Sequence, residues 1–296
     1  MHSAKAVVII LALTIATLVL IPLQWIAMRL NLRLQRFLPL LWHRIARRLM
    51  GLRVRQRGHM VTHRPLLVAA NHVSWLDIVV LGQTAPLSFI AKSEVASWPV
   101  FGLFAKLQRS VFVNRNRRSH TGKVTREVAD RMAQGDAMVL FAEGTSSNGN
   151  EVLPFRSALI GAVHHAMDQG DGDKAWVQPL AISYTHLQGM PMGRFWRPHV
   201  AWYGDMELPG HLWALLKEGG LDVQLTWGEP IPLDGAFNRK QLTQALERDV
   251  RTMATAALTG AENTHFVQTN ANERTAFSSG QKTIKADANE DAEVAS

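Results

Sequence analysis

LLVAANHVSWLDIVVLGQ, Leu66 to Gln83, decides how this chain folds. Five small or branched apolar residues come first and read as a buried strand. Asn71 to Ser74 break the run. From Trp75 the apolar residues recur at helical spacing, which predicts a helix over 75–83. A strand feeding a helix through a short polar turn is the repeating unit of α/β folds.

The same alternation continues outward. Further strands are expected at Leu87–Ala91, Val111–Val113, Ala137–Ala142, Val177–Tyr184, Val200–Tyr203 and Val223–Trp227. Helices are expected at Val95–Lys106, His120–Gln134, Ser157–Met167 and Arg239–Leu258. The expected fold is α/β, a mixed, mostly parallel sheet flanked by helices, preceded by an N-terminal transmembrane helix and a basic amphipathic helix.

Residues 6–28, AVVIILALTIATLVLIPLQWIAM, carry no charge. At 1.5 Å per residue they extend roughly 34 Å, enough to cross a hydrocarbon core. A cleaved signal peptide is the alternative. Its apolar region is shorter, and no small-x-small cleavage site follows here. Residues 29–64 then hold ten arginines and no acid, although the whole chain is only +8. Such a block suits anionic lipid or nucleic acid. Beside an apolar span it favours anionic membrane lipid and a C-terminal domain on the cytoplasmic side. Within it, residues 36–52 form an amphipathic pattern, with Leu40, Leu41, Ile45 and Leu49 on one stripe. The domains read as an anchor over 1–53, a catalytic domain over 54–259 and a polar, disordered tail over 260–296. No cysteine is present. That excludes disulfides and a thiol nucleophile.

His72 and Asp77 stand at the turn, where a strand of an α/β sheet ends and ligands bind. Asp77 also sits three residues after Ser74, the spacing of a capping box, and so could serve the helix start alone. A second strand, Ala137–Ala142, ends in Glu143, Gly144, Thr145 and Ser146. If the two strands are parallel neighbours, both turns meet at one sheet edge. Backbone N–H groups at the helix start are then candidates to hold an oxyanion. The histidines lack the spacing of a zinc site, so no metal or cofactor is expected.

Taken together, NHVSWLD, AKSEV (Ala91–Val95), VFVNR (Val111–Arg115), FAEGTSS (Phe141–Ser147), FRSA (Phe155–Ala158) and QPLAI (Gln178–Ile182) resemble, in order, the blocks of the glycerolipid acyltransferase family. The resemblance implies acyl transfer from an acyl carrier protein thioester or acyl-CoA to the hydroxyl of a lysolipid acceptor. It assigns His72 as general base and Asp77 as its partner. Lys92, Arg115, Glu143, Gly144, Thr145 and Ser146 then line the acceptor site. The acceptor is itself the nucleophile, which agrees with the lack of a G-x-S-x-G elbow. Phosphatidic-acid-forming members carry arginine where this chain has Ser146, and glycine where it has Arg109. A serine cannot replace a bidentate phosphate clamp. The strings around these blocks resemble the bacterial branch that acylates lyso-ornithine lipid. Acylation of 1-acyl-sn-glycerol-3-phosphate is the alternative. Two other classes, a nucleic-acid-binding protein and an inactive scaffold, do not account for the anchor or for the intact His72 and Asp77.

Overall fold

The chain was analysed as a computed structural model that describes residues 2–113, 118–158, 160–161, 163, 174–234 and 237–261. It divides into two units, Met1–Leu258 and Thr259–Ser296. The tail expected over 260–296 lies almost wholly outside the described residues, and so does most of the helix expected at 157–167.

Among the described residues, nine strands form the sheet: β1 (Arg53–Arg57), β2 (Leu66–Ala70), β3 (Leu87–Lys92), β4 (Val111–Val113), β5 (Ala137–Phe141), β6 (Lys174–Leu187), β7 (Met190–Pro191), β8 (Leu221–Trp227) and β9 (Ile231–Asp234). Their order is β1-β8-β6-β2-β5-β3-β4, with β7 and β9 also pairing with β6. From β6 to β4 every pairing is parallel. β6 runs antiparallel to β7, β8 and β9. β2 and β5 are buried along their whole length. Covered on both faces, they have no polar alternation and read as continuous apolar runs. Their register places Ala70 beside Phe141, so the turns after β2 and β5 emerge side by side.

The helices are α1 (His2–Arg29), α2 (Phe37–Leu49), α3 (Leu76–Gly82), α4 (Phe101–Leu107), α5 (Arg118–Ala133), α6 (Arg197–Val200), α7 (Leu208–Glu218) and α8 (Arg239–Thr259). α2 crosses α3 closely enough that a Cβ at Gly82 would overlap the His43 ring. Buried there, His43 is held neutral, its pKa lowered to about 4 by burial despite its bond to Gln108.

Some expectations are corrected. The strand expected at Val200–Tyr203 is absent. Pro198 opens the short α6 instead, and the chain then crosses to the β2–α3 turn, where the Trp202 N–H donates to the Val73 carbonyl over 2.9 Å. The helix expected at Val95–Lys106 is two pieces, a 3-10 turn at Ser93–Ser97 and α4. Pro99 cannot donate to a helical ladder, and Val100 has φ 63°. On α2 the stripe is rotated: Leu38, Leu40, His43 and Ala46 are buried, while Leu41 is exposed. α7, which the apolar pattern did not predict, has proline in its first turn and a φ-positive glycine at its end.

α1 is long and apolar enough to cross a membrane. Val8, Leu11, Leu18, Val19 and Trp25 are exposed on it, while Ala6, Ile9, Gln24 and Ala27 are buried. It meets the domain along its length. The Lys5 ammonium donates to the Glu218 carbonyl (3.3 Å), the Trp42 indole to Thr17 Oγ1 (2.8 Å), and the Gln24 amide to the Leu107 carbonyl (2.7 Å).

Candidate active site

The carboxyl edge of the parallel strands carries the site. His72 Nδ1 lies 2.8 Å from Asp77 Oδ2. The same oxygen accepts the backbone N–H of Val73 (2.7 Å) and of Ser74 (3.0 Å). Asp77 Oδ1 accepts the Tyr184 hydroxyl at 2.7 Å. One oxygen atom of Asp77 thus both caps the turn and meets the imidazole.

This geometry sets the histidine's proton. A fully buried carboxylate that accepts two N–H groups and a hydroxyl is an acceptor toward the imidazole as well. Nδ1 therefore carries the hydrogen, and Nε2 is left with a free lone pair. Phe141 stacks on the ring, centroids 4.1 Å apart and planes within 17°. The histidine side chain is 20% exposed, while that of Asp77 is wholly covered. The imidazole is reachable and its carboxylate partner is not.

Two residues that the sequence did not single out hold this arrangement. Tyr184 reaches Asp77 from β6. Burial first, then the Asp77 charge and hydrogen bond, push its phenol well above the usual range, so it stays a donor. Asn71 clamps the turn to the same strand: its amide donates to the Ile182 carbonyl (3.0 Å) and accepts the Ile182 N–H (2.8 Å). Asn71 stood inside the quoted stretch, but Tyr184 had no local signal.

The second turn meets the first as expected. The Ser147 N–H donates to the His72 carbonyl at 2.9 Å, and the Ala142 N–H to the Ala70 carbonyl at 2.9 Å. Gly144 has φ 77°, a conformation that a side chain would strain. Thr145 is exposed beyond it, and Lys92 is exposed at the end of β3 on the same sheet edge. Glu143 points inward and is only 2% exposed. The backbone N–H groups of His72 and Leu153 approach its carboxyl and ease its burial, but neither oxygen has a well-formed hydrogen bond. Burial dominates and pushes its pKa up to about 9, so at neutral pH it is an uncharged acid under the turn. Ser146 Oγ donates to the Trp202 carbonyl. Arg115 lies outside the described residues.

Of the backbone N–H groups near the start of α3, those of Val73 and Ser74 are already bonded to Asp77. Arg109 precedes β4 and pairs with Asp136 before β5, at the opposite edge of the sheet.

Against known proteins, a family model described as Acyltransferase matches residues 51–183. A lyso-ornithine lipid O-acyltransferase of Brucella abortus (strain 2308) is 49% identical over 260 residues, covering 88% of this chain and 97% of that protein. Another of the same name, from Rhizobium meliloti (strain 1021), is 46% identical over 248 residues, covering 84% and 85%. Among solved structures, the 1-acyl-sn-glycerophosphate (LPA) acyltransferase PlsC from Thermotoga maritima aligns with a TM-score of 0.56 at 21% identity, covering 86% of this chain and 97% of that one. At that identity the likeness speaks to the fold alone.

Proposed function

The chain belongs to the acyltransferase family and is an O-acyltransferase of lysolipids; on that premise we propose that it transfers a fatty acyl group from a thioester donor to the hydroxyl of lyso-ornithine lipid, with His72 as general base. The observation that carries the chemistry is the His72–Asp77 pair, with Nε2 unpaired at the surface. Nε2 takes the acceptor's hydroxyl proton as that oxygen attacks the thioester carbonyl. The new C–O bond forms, the C–S bond breaks, and the thiolate leaves with the proton from the imidazolium. Asp77 steadies the imidazolium meanwhile. The donor is an acyl carrier protein thioester, with acyl-CoA the alternative.

The acceptor rests on the names of the two relatives and on Ser146. An ornithine headgroup offers an ammonium and a carboxylate. A neutral Ser146 turn repels neither, and Lys92, Arg115 and Thr145 stand as candidates to meet the carboxylate. Gly144 shapes the turn and Glu143 supports it from beneath. The test is kcat/KM for lyso-ornithine lipid and for lysophosphatidic acid with one carrier thioester. The wild type is expected to prefer the ornithine lipid, and Ser146→Arg to move the ratio toward lysophosphatidic acid by about tenfold or more, the worth of one charge-assisted clamp. A wild type faster on lysophosphatidic acid would overturn the acceptor. An unchanged ratio in Ser146→Arg would confine Ser146 to its bond with Trp202.

The protein is placed at the inner membrane, with α1 as a single span and the catalytic domain on the cytoplasmic side. The apolar surface of α1 and the arginines after it support this. Anionic lipid would be met by the exposed Arg44 and Arg48 of α2. A second reading, with α1 lying in one leaflet, is favoured by the contacts of Lys5 and Gln24 with the domain. They are 19 residues apart, roughly 28 Å of helix. Ser3→Cys in this cysteine-free chain separates the two. A membrane-impermeant maleimide added to intact spheroplasts labels that variant if α1 crosses, and labels it only after lysis if α1 stays in the cytoplasmic leaflet.

A further inference from the structure

The amino edge of the sheet, opposite His72, holds a second concentration of charge. There the segments leading into β2, β3, β4 and β5 meet Arg33–Arg36, the turn that follows α1. They enclose a cavity of about 300 Å³, with Arg33, Arg36, Arg64, Arg109 and Asp136 on its walls and Phe37 at its rim.

Asp136 is buried and is shared among three guanidiniums: Arg36 at 3.2 Å, Arg109 at 3.0 Å and Arg131 at 2.6 Å. One carboxylate cannot neutralise so many cations. Arg64 is half-buried and donates to the carbonyls of Val61 (3.1 Å) and His63 (2.7 Å). Among the described residues it forms no salt bridge. Burial first, then neighbouring arginines, pulls Arg64 and Arg109 below the usual guanidinium range. Arginine does not shed its proton in a protein, so the positive charge stays, offset only in part by Asp136. A structural cluster needs only enough cations to satisfy its carboxylate. This one has a surplus, gathered around an open volume.

The surroundings indicate what brings the missing charge. Phe37, in the cavity wall, and Leu32, Leu34 and Leu41, near it in sequence, are 44–52% exposed. A ligand seated here finds guanidiniums inside and apolar side chains at the mouth. Planar guanidinium forks match phosphate oxygens two at a time.

We propose that this cavity binds the phosphate-bearing headgroup of an anionic membrane lipid, with the acyl chains running out over Leu34 and Phe37 toward α1. The site deepens the membrane-association part of the reading above and does not depend on which lysolipid is acylated.

The test uses full-length enzyme in neutral detergent micelles. Binding is followed by the rise in unfolding midpoint as micelles are doped with phosphatidylglycerol or with phosphatidylcholine, or as inorganic phosphate is added to the buffer. Phosphatidylglycerol is expected to protect saturably, and phosphatidylcholine to do so at least about tenfold more weakly. Arg33→Gln, at an exposed position, and the double variant Arg33→Gln/Arg64→Gln should weaken the effect, the double by about tenfold or more. Arg57→Gln removes the same charge from the exposed edge of β1 and should change nothing. Turnover in undoped micelles should match the wild type in every variant. Equal protection by the two lipids, or wild-type binding in both Arg33 variants, would overturn the site. Equal protection by inorganic phosphate, lost in the same variants, would overturn the lipid as occupant in favour of free phosphate. A wrong acceptor assignment would alter which lysolipid is consumed and leave these titrations as they are.

Discussion

His72→Ala is expected to abolish measurable acyl transfer while leaving the unfolding midpoint near that of the wild type. As the proposed base, the imidazole stands at the carboxyl edge of β2, and general-base catalysis by a positioned group contributes typically 10²–10⁴-fold. The loss should reach the upper part of that range, because Asp77, Tyr184 and Phe141 hold the ring in place before substrate arrives. Stability should change little, since the side chain is part-exposed and its backbone carbonyl, which accepts the Ser147 N–H, stays in place. Single-turnover measurement with a pre-bound thioester donor separates chemistry from binding. Turnover within a few-fold of wild type would remove His72 from the mechanism.

Asp77→Asn is expected to lower kcat by roughly a hundredfold to a thousandfold, less than the ~10⁴ that the equivalent change costs in a serine-protease triad. There the new amide turns its NH₂ to the histidine and reverses the tautomer. Here Oδ2 faces two backbone N–H groups as well as the imidazole, and these cannot rotate away. The amide oxygen should therefore keep that position, and the NH₂ should face Tyr184, whose hydroxyl can turn to accept. Nδ1 keeps its hydrogen and Nε2 stays a base. What is lost is the negative charge opposite the developing imidazolium. A loss of 10⁴ or more would show that the tautomer reversed after all. Asp77→Ala, by contrast, should also destabilise the turn, because buried N–H groups left without an acceptor cost about 1–3 kcal/mol each.

What the sequence by itself determined is what short-range geometry controls. Apolar runs of five residues bounded by polar turns gave β2 and β5 within a residue of their observed ends. The five-residue spacing of His72 and Asp77 suffices for their contact, because a single turn at the head of α3 brings them together wherever the strand lies. The apolar length of α1 needed no tertiary information. β1 was not visible, because RVRQR at a sheet edge buries too little to show alternation. The break between Ser97 and Phe101 was underweighted although Pro99 marked it.

Only the tertiary structure decided which distant side chains complete the site. Strand order placed β6 next to β2, and that neighbourhood alone brings Tyr184 to Asp77 across 107 positions and Ile182 to Asn71 across 111. It also spent Ser146 on the Trp202 carbonyl, turned Glu143 inward, and carried Arg109 to the arginine cluster on the far edge of the sheet. Periodicity reports that a residue is buried or exposed, and a turn reports its own few neighbours. Which strands lie side by side follows from the packing of the whole sheet, so contacts across it are settled only when the chain has folded.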